Sequence, residues 1–261
     1  MQNTWQSAWI IGASSGIGRA LVLQLASSGV QVAVSARRAD LLDELANSGS
    51  ENILAFPVDV TDREAVRRTA ELVLGKLGSI DLAVLVAGVG QLMGATDYSA
   101  ERAQEAMAIN YGGVVNALDP LLKTMLAAGK GQLALVASVA GYRGLPNSAA
   151  YAPTKAALIS LAESLRPQLA ARGVTISVIN PGFVATPMTE GSRQPLPFVI
   201  TADDAAARII RGLKRAKFEI AFPWPTVALA KTMRLLPYSL FFLALRFLRQ
   251  DAREDVERGR S

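Results

Sequence analysis

Ala8-Trp-Ile-Ile11-Gly12-Ala-Ser-Ser-Gly16-Ile-Gly18-Arg-Ala-Leu21 is the stretch on which the fold turns. Its apolar opening, Ala8–Ile11, reads as a short buried strand. Gly16–Ser27 then carries helical spacing through Ile17, Ala20, Leu21 and Leu25. Between them the glycines fall as G-x-x-x-G-x-G rather than G-x-G-x-x-G. Glycine there lets the backbone turn tightly and approach a pyrophosphate, while the helix N-terminus supplies amide donors and dipole. A plain tight turn between strand and helix is the competing reading. The strand-then-helix context within the first thirty residues favours the nucleotide one.

Outward from this loop the same alternation continues. Strands are expected at Val30–Ser35, Ile53–Pro57, Ala83–Val86, Leu133–Ala137 and Val174–Ile179. Helices are expected at Asp40–Asn47, at Asp62–Lys76 behind a cap at Thr61, from Ser99 through Asn110 to Ala128, and at Ala149–Ala171. The strands are nearly continuous apolar runs, as expected when helices cover both faces of a sheet. The pattern therefore predicts an α/β fold, a doubly wound, mainly parallel Rossmann-type sheet. No solenoid repeat is present, and no interdomain linker before residue 190. The chain divides into a nucleotide-binding and catalytic part, 1–217, and a hydrophobic, basic helical extension, 218–261.

With 261 residues, 51% hydrophobic and 19% charged, the chain has ample length for a core and is not extensively disordered. Cysteine and histidine are both absent, which excludes disulfides, Cys/His metal sites, a cysteine nucleophile and a Ser-His triad. A metal held only by carboxylates and backbone oxygens stays open, but no metal site is expected. Met1–Thr4 is polar and without a basic side chain, unlike a signal peptide, so a cytoplasmic location is the default expectation. Residues 1–213 hold 17 Lys/Arg against 17 Asp/Glu, whereas residues 214–261 hold 10 against 5, the whole surplus of +5. No nucleic-acid motif accompanies that surplus, and no nucleic-acid partner is expected. It accompanies the most hydrophobic stretch of the chain, which suits a membrane surface better.

Two further features carry chemistry. The second strand ends Val34-Ser35-Ala36-Arg37-Arg38, with no acid where one would bind the ribose hydroxyls of NAD. Guanidinium groups pair bidentately with phosphate, so the 2′-phosphate of NADP is favoured. A solvated arginine pair, compensated by Asp40 and Asp43, is the bland alternative. In Tyr151-Ala-Pro-Thr-Lys155, phenol and ammonium share one helix face. A free phenol titrates near ~10, and a neighbouring ammonium favours the phenolate and lowers that value. Ser138, at a strand end, can hold a substrate oxygen. Alone, Tyr-x-x-x-Lys is a weak signal and more commonly a bland helix-surface pair; with Ser138 at a strand end and the loop upstream, the catalytic reading is preferred.

On these residues the sequence resembles the short-chain dehydrogenase/reductase family, in its compact branch, from about Trp9 to Leu213. The resemblance includes Gly12–Gly18, Asp59-Val60, Ala87-Gly88, Asn110, Ser138 thirteen residues before Tyr151, Lys155, and Pro181-Gly182-x-x-x-Thr186. It implies that Tyr151 is the general acid in carbonyl reduction and that Ser138 holds and polarises the carbonyl oxygen. Lys155 would bind the nicotinamide ribose and depress the Tyr151 pKa, and Asn110 would hold a water in the proton relay. Gly12, Ser14, Ser15, Gly16, Ile17 and Gly18 would contact the cofactor, as would Arg37 and Arg38. Asp59 and Val60 would flank the adenine beside Ala87 and Gly88. Pro181, Gly182, Val184 and Thr186 would cover the nicotinamide. The hydride chemistry belongs to the cofactor, NADP(H); the protein positions and protonates. Family members usually pair through the two long helices, Ser99–Ala128 and Ala149–Ala171, so a homodimer or larger assembly is implied.

Three departures stand out. Val86 replaces the usual Asn before Ala87-Gly88, and Ile11 replaces the Thr before the first glycine. Pro167 falls inside the last predicted helix, where it should kink the final turns. None touches the four catalytic positions.

Residues 187–198 form an apolar loop with Pro187, Met188, Pro195, Leu196, Pro197 and Phe198, suited to a lid over a hydrophobic substrate, with Arg193 as its cation. Beyond Phe218, Thr226–Met233 and Pro237–Arg249 read as two helices, the second opened by its proline. Ser239, Arg246, Gln250 and Arg253 make one narrow polar stripe on a surface otherwise of Leu, Phe and Ala. The uncharged run Leu235–Leu245 is too short to span a bilayer, and Lys231, Arg234, Arg246 and Arg249 flank it. This suits peripheral contact with anionic lipid through 226–249; packing on the chain's own domain or on a partner subunit is the alternative. The tail Gln250–Ser261 is expected to fray. The sequence thus predicts an NADP(H)-dependent oxidoreductase interconverting a hydrophobic, lipid-like carbonyl and a secondary alcohol. A non-catalytic NADP(H) sensor or scaffold is the alternative from another class.

Overall fold

The computed structural model describes residues 4–48, 51–190 and 196–246. Seven strands form one parallel sheet: β1 Ser7–Ile11, β2 Gln31–Ser35, β3 Ile53–Ala55, β4 Leu82–Leu85, β5 Gly131–Val136, β6 Val174–Pro181 and, last in the chain, β9 Glu219–Phe222. Two short strands, β7 Val184–Ala185 and β8 Ile200–Thr201, pair separately. The order β3-β2-β1-β4-β5-β6-β9 runs outward in both directions from β1. This is the doubly wound α/β architecture the pattern predicts. Its edge strand β9 takes the sheet past residue 217, where the sequence divides.

Helices α1 Gly16–Ser27, α2 Ala39–Ala46, α3 Arg63–Leu77, α4 Ala100–Met107, α5 Gly113–Ala128, α6 Tyr151–Ala170, α7 Ala202–Lys214 and α8 Trp224–Leu235 surround the sheet. Alternate strand residues feed two cores. Trp9, Ile11, Leu85, Leu133, Leu135 and Val178 join residues of α3, α5 and α6 on one face. Ile10, Val84, Ala134, Val136 and Ile179 join residues of α1, α2 and α7 on the other. Burying an indole requires a partner for its N–H. Trp9 Nε1 donates to Ser35 Oγ at 3.0 Å, and Trp5 Nε1 to Gln132 Oε1 at 3.0 Å.

Several local expectations are corrected. Asp62, not Thr61, caps α3, its carboxylate accepting from the Ala65 N–H at 2.9 Å. Thr61 is already engaged, its N–H and hydroxyl both donating to Asp59 Oδ1. The long helix from Ser99 is broken by a π-helical turn at Ala108–Gly112, which contains Asn110. Pro167 lies inside α6, as expected, one turn before its end at Ala170. The second C-terminal helix is present over 238–246, and its remaining predicted residues, with Gln250, Arg253 and the charged tail, lie outside the described residues. So do Arg193 and Pro195 of the apolar loop. Among the described residues, no helix is long and apolar enough to cross a membrane.

Candidate active site

The crossover direction reverses between β1 and β4, and the chain leaves both strands at the same end of the sheet. In open α/β sheets, ligands bind in that crevice. Here the two strand exits are so close that a Cβ on Gly12 (φ +101°) would stand 2.4 Å from the Ala87 nitrogen. A Cβ on Gly18 would stand 2.1 Å from the Gly12 carbonyl oxygen, so α1 can seat against the loop only without one. These two approaches are why the glycines fall at this spacing.

The crevice opens into a cleft of about 1450 Å³. Gly12, Ser14, Ser15, Gly16, Ile17, Gly18, Arg37, Arg38, Asp59, Val60, Ala87, Gly88, Ser138, Tyr151, Lys155, Pro181, Gly182, Val184 and Thr186 all line it. Of the catalytic and cofactor positions that the resemblance implies, Asn110 alone is absent from the lining. It is fully buried behind the cleft wall. Its Oδ1 accepts from the Val89 N–H at 2.7 Å, and its Nδ2 donates to the Val89 carbonyl and to Thr154 Oγ1, each at 3.0 Å.

At one end of the cleft, Ser15 precedes α1 without a side-chain cap, and the first turn of α1 holds no acid. Its amide groups are left to a ligand or to water. Arg38 Nη2 donates to Ser14 Oγ at 2.9 Å and to Ser15 Oγ at 3.2 Å, which fixes a guanidinium over the loop. Arg37 is exposed beside it. The Thr61 N–H, then its hydroxyl and the Arg37 guanidinium, outweigh partial burial and hold the Asp59 carboxyl below its usual range.

At the other end, Ser138 follows β5 and caps a single 3₁₀ turn, Val139–Gly141, accepting from the Ala140 N–H at 3.1 Å. Its hydroxyl donates to the Pro181 carbonyl at 3.3 Å and lies beside the Tyr151 phenol. Lys155 is buried and donates to the Val136 carbonyl at 2.9 Å, with its ammonium 5.5 Å from the Tyr151 ring centroid. Burial pushes the Tyr151 phenol up, opposed by the Ser138 hydrogen bond, and pulls Lys155 down to about 8. In the chain by itself desolvation therefore dominates both groups, rather than the lowering of the phenol by the ammonium that the spacing suggests.

Sequence reasoning missed parts of the rim. Leu92, Met93, Leu145, Pro146, Asn147 and Ser148 also line the cleft, alongside Met188 and Leu196 of the apolar loop. Nothing local marks them, because two distant loops meet there through the Met93–Ser148 bridge. It also missed Glu219, which accepts from the Tyr142 hydroxyl at 2.5 Å and Asn180 Nδ2 at 3.1 Å and pairs with Lys231. Burial pushes the Glu219 carboxyl up, but these partners outweigh it and hold the group low.

Comparison with known proteins agrees with this geometry. The short chain dehydrogenase family profile matches residues 6–197. A Myxococcus xanthus protein, described as an uncharacterized oxidoreductase, is 35% identical over 249 residues, covering 94% of this chain and 98% of its own. A short-chain dehydrogenase from Streptomyces avermitilis superposes with a TM-score of 0.79 at 24% identity, covering 100% of both chains. A short chain dehydrogenase/reductase from Burkholderia phymatum, solved in complex with NAD, gives 0.78 at 24% identity, covering 87% of this chain and 92% of that one. With a profile matching most of its length and a full-length relative at this identity, the chain belongs to the short chain dehydrogenase family.

Proposed function

We propose that the chain is an NADP(H)-dependent oxidoreductase that interconverts a hydrophobic carbonyl compound and the corresponding secondary alcohol. One observation carries the reading: Ser138, Tyr151 and Lys155 lie on the same cleft as the glycine loop and the Arg37–Arg38 pair. The residues present fit a dinucleotide phosphate. Bare amides at the α1 N-terminus suit a pyrophosphate, and Arg38, held over Ser14 and Ser15, with Arg37 beside it, suits a 2′-phosphate. The Burkholderia phymatum protein was solved with NAD, but at that identity the likeness speaks for the fold and leaves the cofactor to these residues.

When bound, the nicotinamide gives or takes the hydride. The chain's own part is protonation and orientation. In reduction the Tyr151 phenol passes its proton to the carbonyl oxygen while the Ser138 hydroxyl holds that oxygen. A phenol pushed up by burial keeps its proton until a developing alkoxide claims it. The Lys155 ammonium, held by the Val136 carbonyl beside Tyr151, would support the cofactor ribose. Asn110 positions by closing the wall behind the cleft. Leu92, Leu145 and Met188 line the cleft and remain largely exposed, which favours an apolar substrate. Exposed Val115 and Leu126 on α5 support pairing of two copies through the long helices.

The test is NADPH oxidation by the purified protein across a panel of long-chain and aromatic ketones, repeated with NADH. Turnover of apolar ketones with NADPH in preference to NADH is expected. No oxidation with any ketone, or no alcohol oxidation with NADP⁺, would overturn the reaction; equal use of NADH would overturn the cofactor assignment.

A further inference from the structure

We propose that α8 and the helical run 238–246 form a docking surface for an anionic lipid bilayer, beside the mouth of the cleft. The two helices present Trp224, Leu235, Tyr238, Leu240, Phe242 and Leu243 to solvent. Leu235 leaves 84% of its surface exposed and Trp224 78%, while Phe241, on the second helix, is 3% exposed. Phe241 is therefore the peg that holds the second helix to the domain, and its neighbours are the unpartnered face. A monomeric soluble protein rarely leaves so many large apolar side chains together in water.

Arg143 fixes how that face is held. Its guanidinium Nη1 donates to the carbonyls of Met233 at 2.9 Å, Arg234 at 3.0 Å and Leu236 at 2.6 Å, where α8 ends. The same group lies over the rings of Tyr238, 4.8 Å away, and Phe241, 4.1 Å away. The turn between the helices is thus anchored to the segment that follows Ser138. Two residues further on, Leu145 and Pro146 line the cleft. The apolar helical face and the cleft rim are joined by four consecutive residues, 143–146.

Charge selects the occupant. Lys231 is paired with Glu219, but Arg234 and Arg246 have no carboxylate partner among the described residues, and both are exposed. Residues 214–261 carry the chain's whole positive surplus. An apolar face bordered by exposed cations without a carboxylate partner, Arg234 lying 6.0 Å over the Tyr142 ring, matches the interfacial layer of an anionic leaflet, where apolar burial and headgroup attraction add. Neither helix spans it; both would lie in its plane. This surface would bind whether or not the cleft reduces a carbonyl. If it does, an apolar substrate can reach the cleft from the leaflet without crossing water.

Flotation of the full-length protein with phosphatidylserine-containing and pure phosphatidylcholine vesicles tests the surface, with mass by light scattering and turnover of a water-soluble ketone read in parallel. Binding is expected to the anionic vesicles, weaker in high salt, and several-fold less to the neutral ones. Each cation near such a surface strengthens binding roughly five-fold, so Arg234→Ala with Arg246→Ala should weaken it roughly twenty-five-fold. Leu240→Glu with Leu243→Glu should abolish flotation at unchanged mass and soluble turnover. Equal binding to neutral vesicles, no flotation at all, or a fall in mass for the glutamate variant would overturn the proposal, the last because it makes the face a contact between copies. Soluble turnover lost in the unaltered protein would count against the reaction and leave the docking result standing.

Discussion

Asn110 and Val89 close a two-bond ring: the side-chain amide accepts the Val89 N–H at 2.7 Å and donates to the Val89 carbonyl at 3.0 Å. A polar side chain with no exposed surface thereby satisfies both backbone groups of the loop leaving β4. Asn110→Ala would strand those groups, a cost of about 1–3 kcal/mol. Urea unfolding should show that loss together with reduced turnover. Unchanged stability would mean that water replaces the amide without cost.

Tyr151→Phe removes the phenol hydroxyl beside Ser138 and leaves the ring in place. Loss of general acid help should lower turnover by ~10²–10⁴-fold. NADPH affinity, read from cofactor fluorescence, should stay nearly unchanged. Substantial residual turnover would move the proton donor to another group.

If Arg37 holds the 2′-phosphate as proposed, Arg37→Ala should weaken NADPH binding roughly ten-fold or more, the worth of a charge-assisted phosphate contact. NADH binding should hardly change. Titration of both cofactors against both proteins reads the difference directly, and parallel losses for the two would detach Arg37 from the 2′-phosphate.

Lys155 gives a pH dependence whose sign follows from its burial. Its native pKa of about 8 lies below the ordinary 10.5, so between those values the unfolded chain binds more protons than the native one. Stability then rises with pH across that window, by about 2 kcal/mol between pH 8 and pH 10 from this group alone. Below pH 8 the cost of burying the ammonium is fully present. Urea unfolding of the cofactor-free protein against pH, compared with Lys155→Met, isolates the effect. Identical slopes for the two proteins would show that Lys155 keeps its ordinary pKa.

Sequence pattern made the glycine loop, the parallel doubly wound sheet and the Ser138–Tyr151–Lys155 set legible, because each rests on spacing within one element, at its end, or in the alternation of elements. It could not distinguish Asp62 from Thr61 as the α3 cap. Both side chains can cap, and the choice depends on Thr61 already being bound to Asp59. The π-turn left no trace, since one extra residue in a helix changes neither composition nor propensity. Glu219 was invisible for another reason: Tyr142 lies 77 residues away in sequence and meets it only through the sheet. Arg143 likewise meets its carbonyls across about ninety residues.

The π-turn at Ala108–Gly112 is also a place where the chain carries one residue more than a regular helix needs. One residue rotates a regular helix by about 100°, and the wide turn absorbs that rotation locally. Ala106 before it and Val114, Ala117, Leu118 and Leu121 after it are therefore all buried. Deleting one residue from 108–112 would regularise the helix and leave those side chains on the core face, yet would remove the bulge in which Asn110 meets Val89. The extra residue thus serves the wall of the cleft and not the packing of the helix.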